Sequence, residues 1–432
     1  MRITRDRFKW LLLAAIGSIA ATTAANMIAF APILGDVAHE LGISVPVAQS
    51  SLLGSFLFVV AIAALISGAL ADRFGMVPVL LMGGVVGFVP NLLFPLLGFH
   101  FGWVVALRIA QGVGAGAVFA LIPLCAAQWF SEKERGRATG IGMTMMNAGI
   151  MAGVFLSPIV NQHAGNWRVT MQWFGILETV LFLYVAYVAW ACKEHAPAQA
   201  RRRPLGIAAP GRSEMKAALL SLAMYVGIVI CMLISWLLNV LNVLTPQYFA
   251  LAPPVGVGFG SITAGKLMLI VQLGTVFGGL VAGFVIDKVF KGNPKPVWLA
   301  GFLLTAVMVY GILVPWIYGN TAVLVATLFV AGLAVAFLNP AAAVYTTLAY
   351  PQGVVGRVAG LWLGLGAFGG ALGIFVSALA LHKTGTYQVT ILVFVAASIV
   401  GGLLSQTLRI GGTTLSMMAT NGGNSRGANG GL

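Results

Sequence analysis

Three ionisable side chains lie inside long apolar stretches of the sequence, where water cannot stabilise a charge. They are Arg108, Glu178 and Lys266. A charge at the centre of a bilayer costs about 2.5–3.5 kcal/mol on insertion scales, so an ionisable group at that depth is a candidate functional group. Glu178 is the carboxylate near the middle of its stretch, and we predict that it takes up and releases a proton. The alternative is a glutamate that stays neutral or hydrogen-bonded between helices.

The two cations each allow two interpretations. Arg108 either braces the first apolar stretch through backbone carbonyls or Asn26, or it takes part in solute binding and proton coupling. Lys266 lies near one end of its stretch, so its ammonium group either reaches the membrane interface or faces a cavity and binds an anion. The sequence leaves these alternatives open.

Uncharged polar side chains also interrupt the apolar stretches. Asn26, Asn147 and Gln272 can each hydrogen-bond a solute or a neighbouring helix, and a bond between helices typically contributes less than about 1 kcal/mol. Trp362 lies among glycines, so it either stacks on a ligand or packs in a groove.

The composition indicates a membrane protein. Of 432 residues, 59% are hydrophobic and 8% charged, whereas soluble proteins have about a quarter of their residues charged. The net charge of +14 would suit nucleic acid, but the basic residues are scattered over short loops. Cys125, Cys192 and Cys231 lack the spacing of metal ligands, so we predict no metal site. Phosphate-binding glycine loops and catalytic motifs are missing too, so we predict no cofactor and no enzyme.

Twelve apolar stretches are long enough to cross about 30 Å of hydrocarbon at about 1.5 Å per helical residue. The sequence therefore predicts an all-α polytopic membrane protein with twelve transmembrane helices in two six-helix halves. The predicted spans are 10–34, 47–71, 76–98, 101–125, 138–160, 169–192, 217–241, 262–286, 296–318, 321–345, 355–381 and 386–408. The predicted domains are an N-terminal bundle over 1–192, a cytoplasmic linker over 193–216, a C-terminal bundle over 217–410 and a disordered tail over 411–432.

The distribution of basic residues predicts the orientation. With the N-terminus inside, twenty of the twenty-four Lys and Arg residues fall on the cytoplasmic side, and only Arg168 and Lys383 fall outside. We therefore predict that both termini are cytoplasmic. The compact loops favour a prokaryotic inner membrane.

A charged turn, GALADRFG at residues 68–75, joins the second and third predicted spans. Gly68 lets a neighbouring helix approach, Gly75 permits a tight turn, and Asp72 offers a carboxylate to helix amides or to an arginine. The pattern Gly-x-x-x-Asp-Arg-x-Gly resembles the signature loop of the major facilitator superfamily. In the fourth span, RIAQGVGAG begins at Arg108 and is similar to the superfamily's Arg-x-x-Gln-Gly-x-Gly pattern, with Gln111 as its glutamine.

The two halves of the sequence repeat each other. The spacing from Gly283 to Asp287 repeats that of the first charged turn at an offset of 215 residues. Gly136-Arg137 before the fifth span is likewise repeated by Gly356-Arg357 before the eleventh, at an offset of 220 residues. Two repeats at nearly one offset indicate a parallel duplication.

The resemblance to the major facilitator superfamily covers the whole chain. It implies two halves related by a pseudo-two-fold axis along the membrane normal, a solute cavity between them, and a cavity lining that includes spans one, five and eight. The residues predicted to bind the solute are Arg108, Asn26, Gln111, Asn147, Lys266, Gln272 and Trp362. Those predicted to couple the proton are Glu178 and Arg108, and for Arg108 the resemblance also implies involvement in coupling. The residues implied for the conformational switch are Gly68, Asp72, Arg73, Gly75, Arg135, Arg137, Asp287, Lys288 and Arg357.

The leading hypothesis for function is a secondary transporter that takes up a small organic or inorganic anion by alternating access, with a proton as the coupling ion. A net charge of +1 from Arg108, Lys266 and Glu178 disfavours cations as cargo. One alternative is proton-linked efflux of amphipathic drugs or metabolites, and another is a transporter-like receptor or scaffold. The predicted partners are the solute, protons and the bilayer, with the chain as a monomer.

Overall fold

The structure is a computed structural model that describes residues 5–195, 216, 218–350 and 352–408. Nearly all of these residues are helical, which confirms the predicted all-α fold. Most of the predicted linker over 193–216 and the whole of the predicted tail over 411–432 lie outside the described residues.

The first six long helices, spans 1–6, end close to charged or glycine-containing connections. Span 2 contains a π-helical turn, Gln49–Gly54, between Val45–Ala48 and Ser55–Phe74. A short helix, Leu34–Glu40, lies between spans 1 and 2. Spans 1–6 are Arg5–Ile28, Val45–Phe74, Met76–Leu97, Phe101–Trp129, Glu132–Ala164 and Trp167–His195.

The second six long helices, spans 7–12, are less regular. Span 8 ends in a π-helical turn, and spans 10 and 11 are interrupted at Phe337 and Ala367. Pro340 explains the first interruption, because it lacks the amide that would bond to the preceding turn. Spans 7–12 are Leu222–Ala250, Ser261–Val289, Pro294–Gly311, Thr321–Ala349, Gln352–Thr384 and Tyr387–Thr407.

Within the described residues, eleven helices are long and apolar enough to cross a membrane. Span 9, Pro294–Gly311, is the predicted span outside this set. It has only 18 residues, and its first turn contains Lys295 between two prolines. The predicted twelfth crossing is therefore a short helix with a polar start.

Prolines and buried polar residues explain where the predicted span ends were wrong. Span 1 ends at Ile28 instead of 34, because Pro32 cannot donate a backbone hydrogen bond to the preceding turn. Span 9 ends at Gly311 instead of 318, and Pro315 begins a separate short helix. Span 7 continues to Ala250 instead of 241, and Asn242, the first polar residue beyond the predicted end, is bonded to Gln272 of span 8.

The ends of the spans form two faces. The basic face carries Arg73, Arg135, Lys288 and Arg357, and the opposite face carries Glu40. Spans 1–6 pack mainly on one another, as do spans 7–12, and the two groups meet most closely where span 2 contacts span 11 and span 5 contacts span 8.

The two groups of helices are joined at the opposite face. The Tyr387 hydroxyl of span 12 lies 3.1 Å from Oε1 of Gln49 in span 2 and also contacts the Gln247 side chain of span 7. All three side chains are buried. Nearby, Phe375 of span 11 packs against Gly54 of span 2, where a β-carbon would come within 2.8 Å of the ring. This face is therefore closed by a polar and aromatic contact between the groups.

The basic face is open at the corresponding helix ends. Gly68 of span 2, Gly140 of span 5, Gly283 of span 8 and Gly360 of span 11 each border empty space, since an added β-carbon would meet no atom within 4 Å. The same four spans are thus in contact near the opposite face and apart near the basic face.

Candidate functional site

Arg108 of span 4 lies in the interior of the first six spans, with 0% of its surface exposed. Its Nε donates to the Leu52 carbonyl at 2.8 Å, and its two terminal nitrogens donate to the carbonyls of Asn26 at 3.2 Å and Met27 at 3.0 Å. The carbonyls of Asn26 and Met27 lie in the last turn of span 1, where helix carbonyls lack partners and a cation is favourable. The arginine therefore closes the end of span 1.

Two aromatic rings cover the guanidinium. Its central carbon lies 4.1 Å from the ring centre of Phe56 and 4.8 Å from that of Phe30. A desolvated cation gains about 2 kcal/mol from such a ring face. Within the described residues no carboxylate pairs with Arg108 directly, so carbonyl dipoles and ring faces stabilise its charge.

Two amides connect Arg108 to Glu178. Arg108 donates to Oε1 of Gln111 at 2.8 Å, Nε2 of Gln111 donates to Oδ1 of Asn91 at 2.6 Å, and Nδ2 of Asn91 donates to Oε2 of Glu178 at 3.3 Å. Since an arginine can only donate, Gln111 must turn its oxygen towards it. That choice fixes the orientation of Asn91, which must present its nitrogen to the glutamate.

Glu178 of span 6 is 1% exposed and receives two further hydrogen bonds from span 1. Thr23 donates to Oε1 at 2.8 Å, and the Asn26 amide nitrogen donates to Oε2. Oδ1 of Asn26 is buried and has no hydrogen-bond donor in the described part of the chain. The carboxylate is thus surrounded by donors, beside one acceptor that is not used.

Glycines allow the helices that carry this network to approach closely. A β-carbon at Gly112 would lie 2.9 Å from the Phe56 carbonyl, and one at Gly116 would lie 2.6 Å from the Val60 carbonyl. Both glycines lie on the same side of span 4 as Arg108, as their spacing predicts. Gly87 of span 3 similarly leaves room for Oε1 of Glu178, which lies 3.4 Å from its β-carbon position.

Asn147 is separate from this network. It is half-buried on span 5, on the helix face that also carries Val154 and Pro158 by seven- and eleven-residue spacing. That face contacts span 8, where a β-carbon at Gly265 would lie 3.0 Å from the Val154 carbonyl. Asn147 therefore points towards the second group of helices at mid-depth.

Lys266 is exposed on span 8. Its spacing places it on the face that carries Leu273, Phe277 and Phe284, which are 48%, 50% and 65% exposed. An exposed apolar face of a membrane helix contacts lipid, so the placement favours the interface interpretation of this lysine.

The remaining two candidates for solute binding are buried among spans 7–12. Nε2 of Gln272 in span 8 donates to Oδ1 of Asn242 in span 7 at 2.7 Å, on the side of span 8 that also carries Gly265. Trp362 is 1% exposed and stacks on Tyr345 with ring centres 5.7 Å apart. The structure thus brings Arg108, Asn26, Gln111 and Glu178 together, and leaves Asn147, Lys266, Gln272 and Trp362 at separate places.

The candidate switch residues lie at the basic face. Gly75 has a φ of 90°, which only glycine adopts freely, and forms the tight turn between spans 2 and 3. Arg73 stacks on Phe74 at 5.2 Å, and Arg137 stacks on Trp10 of span 1 at 5.5 Å. The side chains that are exposed here are Asp72, Arg73, Arg135, Arg137, Asp287, Lys288 and Arg357.

Spans 2 and 11 run antiparallel with a register that relates two of these charges. Leu65 of span 2 contacts the Gly364 position of span 11. Asp72 lies seven residues beyond Leu65, and Arg357 lies seven residues before Gly364. Seven residues are two helical turns, so Asp72 and Arg357 lie on facing sides at the same level of the basic face.

Thr23 and Asn91 complete the network around Glu178 but were not among the residues predicted from the sequence. Each is a polar residue within an apolar stretch, and that was the available signal. Asn91 also follows Pro90, and a proline next to an asparagine is typical of a helix end, although here both residues lie inside span 3.

The fold and the buried charged network define a polytopic α-helical membrane protein built from two groups of six helices. The chain belongs to the Major Facilitator Superfamily, because the model of that family matches residues 14–292 and 224–413.

Curated relatives match parts of this chain. It is 32% identical over 120 residues to "Probable anion transporter 4, chloroplastic" of Arabidopsis thaliana, which covers 28% of this chain and 22% of that protein. It is 29% identical over 140 residues to "Probable anion transporter 3, chloroplastic" of Oryza sativa, covering 32% and 26%. It is 27% identical over 271 residues to "Membrane sensor protein UhpC" of Salmonella typhimurium, covering 56% of each chain. The matched segments span between about a quarter and a half of these relatives.

Solved structures share the fold over nearly the whole chain. A crystal structure of a D-xylose-proton symporter superposes with a TM-score of 0.71 at 15% identity, covering 92% of this chain and 97% of that one. The xylose transporter XylE from E. coli, in a partially occluded inward-open conformation, gives a TM-score of 0.69 at 13% identity, covering 93% and 99%. These likenesses concern the fold alone.

Proposed function

We propose that this protein moves a small organic or inorganic anion across the membrane together with a proton, by alternating access. The observation that carries the proposal is the chain Arg108–Gln111–Asn91–Glu178, which joins a buried cation to a buried carboxylate without direct contact. With Glu178 ionised, the two charges balance. With Glu178 protonated, the arginine's positive charge is uncompensated in a region of low dielectric constant.

This charge balance couples the proton to an anion. When Glu178 is protonated, the uncompensated charge of Arg108 attracts an anion in the adjacent cavity. When Glu178 is ionised, its negative charge repels that anion. The neutral combinations are therefore proton and anion both bound, or neither bound. Net neutrality also lowers the cost of crossing the membrane interior, which favours transport in those two states.

The cavity lies between the facing sides of spans 5 and 8 in this proposal. Asn147 on span 5 and the Gln272–Asn242 pair of spans 7 and 8 supply uncharged donors and acceptors there. Two relatives are named as probable anion transporters, which supports an anionic solute. Lys266 has no role in binding, because its face carries lipid-exposed apolar residues.

The basic face is cytoplasmic in this proposal, in an inner membrane, and the chain acts as a monomer. Its two groups of helices, within 1–192 and 217–410, rock against each other. The open ends of spans 2, 5, 8 and 11 then give access from the cytoplasm, and the charged residues of the basic face act as the switch.

The test uses purified protein in liposomes with controlled internal and external pH. Phosphate, sulfate, mono- and dicarboxylates and amphipathic cations are offered, and solute and proton uptake are both measured. We expect an anion to accumulate when the entry side is acidic, and its addition to drive proton uptake. Glu178→Gln mimics the protonated state, so this variant is expected to keep anion exchange and to lose accumulation driven by the pH gradient.

Lys266→Gln is the matched control, because it removes a cation from a span without touching the network. It is expected to retain coupled uptake. Accumulation that persists in Glu178→Gln would contradict the coupling role. Exchange of protons for amphipathic cations, without anion movement, would instead establish the efflux alternative.

A sensor is the second candidate function, because one relative that covers 56% of this chain is named a membrane sensor protein. A sensor binds its ligand without moving it. An anion that raises the melting temperature of the purified protein, but that liposomes never accumulate or exchange, would favour this function over transport.

A further inference from the structure

The Asn26 side chain is the amide of the Glu178 network that is free to change its orientation. Because Arg108 can only donate, it determines the orientation of the Gln111 amide, and Gln111 in turn determines the orientation of the Asn91 amide. Asn26 is not fixed in this way. Its nitrogen bonds to Oε2 of Glu178, while its oxygen is buried with no donor among the described residues.

Protonation of Glu178 creates a hydrogen that needs an acceptor. Oε2 faces two amide nitrogens, from Asn26 and Asn91, and neither can accept. Asn91 cannot turn over without breaking its bond to Gln111. Rotation of the Asn26 amide by about 180° would bring its unused oxygen to the new hydroxyl, and would leave every other bond of the network in place.

We propose that Asn26 is a positioning residue that serves both protonation states of Glu178, donating to the carboxylate and accepting from the carboxylic acid. The inference rests on the proposed function only in naming Glu178 as the proton-exchanging group. It adds that the same side chain stabilises both forms, which keeps a buried group able to bind and release its proton without rearranging the bundle.

The surroundings of Glu178 support this assignment. Spans 1, 3 and 5 pack against span 6, and their polar contacts with the carboxylate are Thr23, Asn26 and Asn91. The charged group connected to it is Arg108 of span 4. The other charged side chains described on these spans lie near the helix ends. Protonation at Oε2 is therefore accommodated by the amides, and of the two amides that face Oε2, Asn26 is the one with an unused buried acceptor.

Asn26 takes part in the network through its backbone as well as through its side-chain amide. The residue lies two positions before the end of span 1, and its own carbonyl accepts a bond from Arg108 at 3.2 Å. The side chain that responds to the proton and the carbonyl held by the cation thus belong to one residue.

The test measures proton exchange without requiring transport. Melting temperature is recorded between pH 5 and pH 9 in detergent for the wild type, Asn26→Leu, Asn91→Leu and Thr23→Val, each with and without Glu178→Gln. The difference between the two curves of each pair gives the pH midpoint at which Glu178 exchanges its proton. Asn26→Ala replaces the leucine variant if that variant does not fold.

The pattern of midpoints decides the question. Asn91 donates to the carboxylate only, so its loss is expected to move the midpoint up by about one pH unit. The Thr23 hydroxyl at Oε1 can also accept, so its loss is expected to move the midpoint less. Loss of Asn26 removes support from both forms and is expected to leave the midpoint within about 0.3 pH units of the wild type. A midpoint that moves in Asn26→Leu as far as in Asn91→Leu would overturn the proposal, and so would a flat difference curve.

These outcomes are separate from those of the liposome test. Uncoupled transport would remove the proposed function while the midpoints could still follow the expected pattern. A wrong pattern of midpoints with coupled transport intact would remove only the role of Asn26.

Discussion

Replacement of Arg108 should loosen the end of span 1. The carbonyls of Asn26 and Met27 belong to the last helical turn, and each accepts a bond from the guanidinium. A buried acceptor that loses its donor costs about 1–3 kcal/mol, and the Leu52 carbonyl loses its donor as well, so three carbonyls give an expected loss of about 3–9 kcal/mol in the free energy of unfolding for Arg108→Ala. Partial replacement by water or neighbouring groups places the expected value in the lower half of that range.

The assay is equilibrium unfolding in mixed micelles by titration with a denaturing detergent, followed by tryptophan fluorescence. Arg108→Lys keeps the charge but not the planar set of donors, so its loss is expected to fall between those of the wild type and the alanine variant. Lys266→Ala also removes a cation from a span, but an exposed one without a described partner, and is expected to change stability by less than about 0.5 kcal/mol.

The comparison between the two cations is the decisive result. Equal losses for Arg108→Ala and Lys266→Ala would refute the claim that the arginine closes a helix end. A loss in Arg108→Lys as small as that of Lys266→Ala would show that the charge matters and the directed hydrogen bonds do not.

Three further predictions concern the two faces of the bundle. A double variant with Asp72→Cys and Arg357→Cys is expected to cross-link only when the basic face closes. Cross-linking should therefore increase with a solute that favours closure, and cross-linking that stays constant would show that the register is wrong. Gly140→Leu places a large side chain on a face of span 5 that must approach the other group of helices. This variant is expected to lower solute uptake at least tenfold without changing solute binding, and Gly140→Ala is expected to have a smaller effect. Uptake by Gly140→Leu equal to that of the wild type would exclude an approach of the two groups at this position. Burial raises the pKa of Asp36, against the hydrogen bond from Asn161, so the folded state binds this proton more tightly and loses stability as pH rises through the raised pKa. Asp36→Asn should therefore reduce the fall in melting temperature between pH 4 and pH 7, and an unchanged fall would contradict the assignment.

The sequence was sufficient for the fold because hydrocarbon leaves few alternatives. A long stretch without charge must form a helix that satisfies its own backbone, and the loops between such stretches follow. Several predicted span ends were wrong, because helix ends depend on single residues. Pro32 and Pro315 each lie where a helix ends inside an apolar stretch. A span prediction from composition counts the apolar side chains around a proline and does not include the effect of its missing backbone N–H.

The site was predicted in its parts but not in its connections. Arg108 and Glu178 were identified because burying a charge is costly, and a charged residue within an apolar stretch is visible in the sequence itself. Their link through Asn91 depends on three helices meeting at one height, and no sequence period encodes that. Lys266 and Gln272 show the same limit, because in a helix that is apolar on every side the sequence does not tell a lipid-facing position from an inward one.

Span 9 has a consequence for the surrounding lipid. Its 18 residues extend about 27 Å, and the polar first turn leaves an apolar length shorter than the roughly 30 Å hydrocarbon layer. A helix that is too short is accommodated by thinning of the adjacent bilayer or by flanking side chains such as Lys295 that reach the interface, at a fraction of a kcal/mol per ångström. If span 9 crosses the membrane, we expect the bilayer to be thinner beside it than elsewhere around the bundle, and thinner membranes to accommodate the protein at a lower elastic cost.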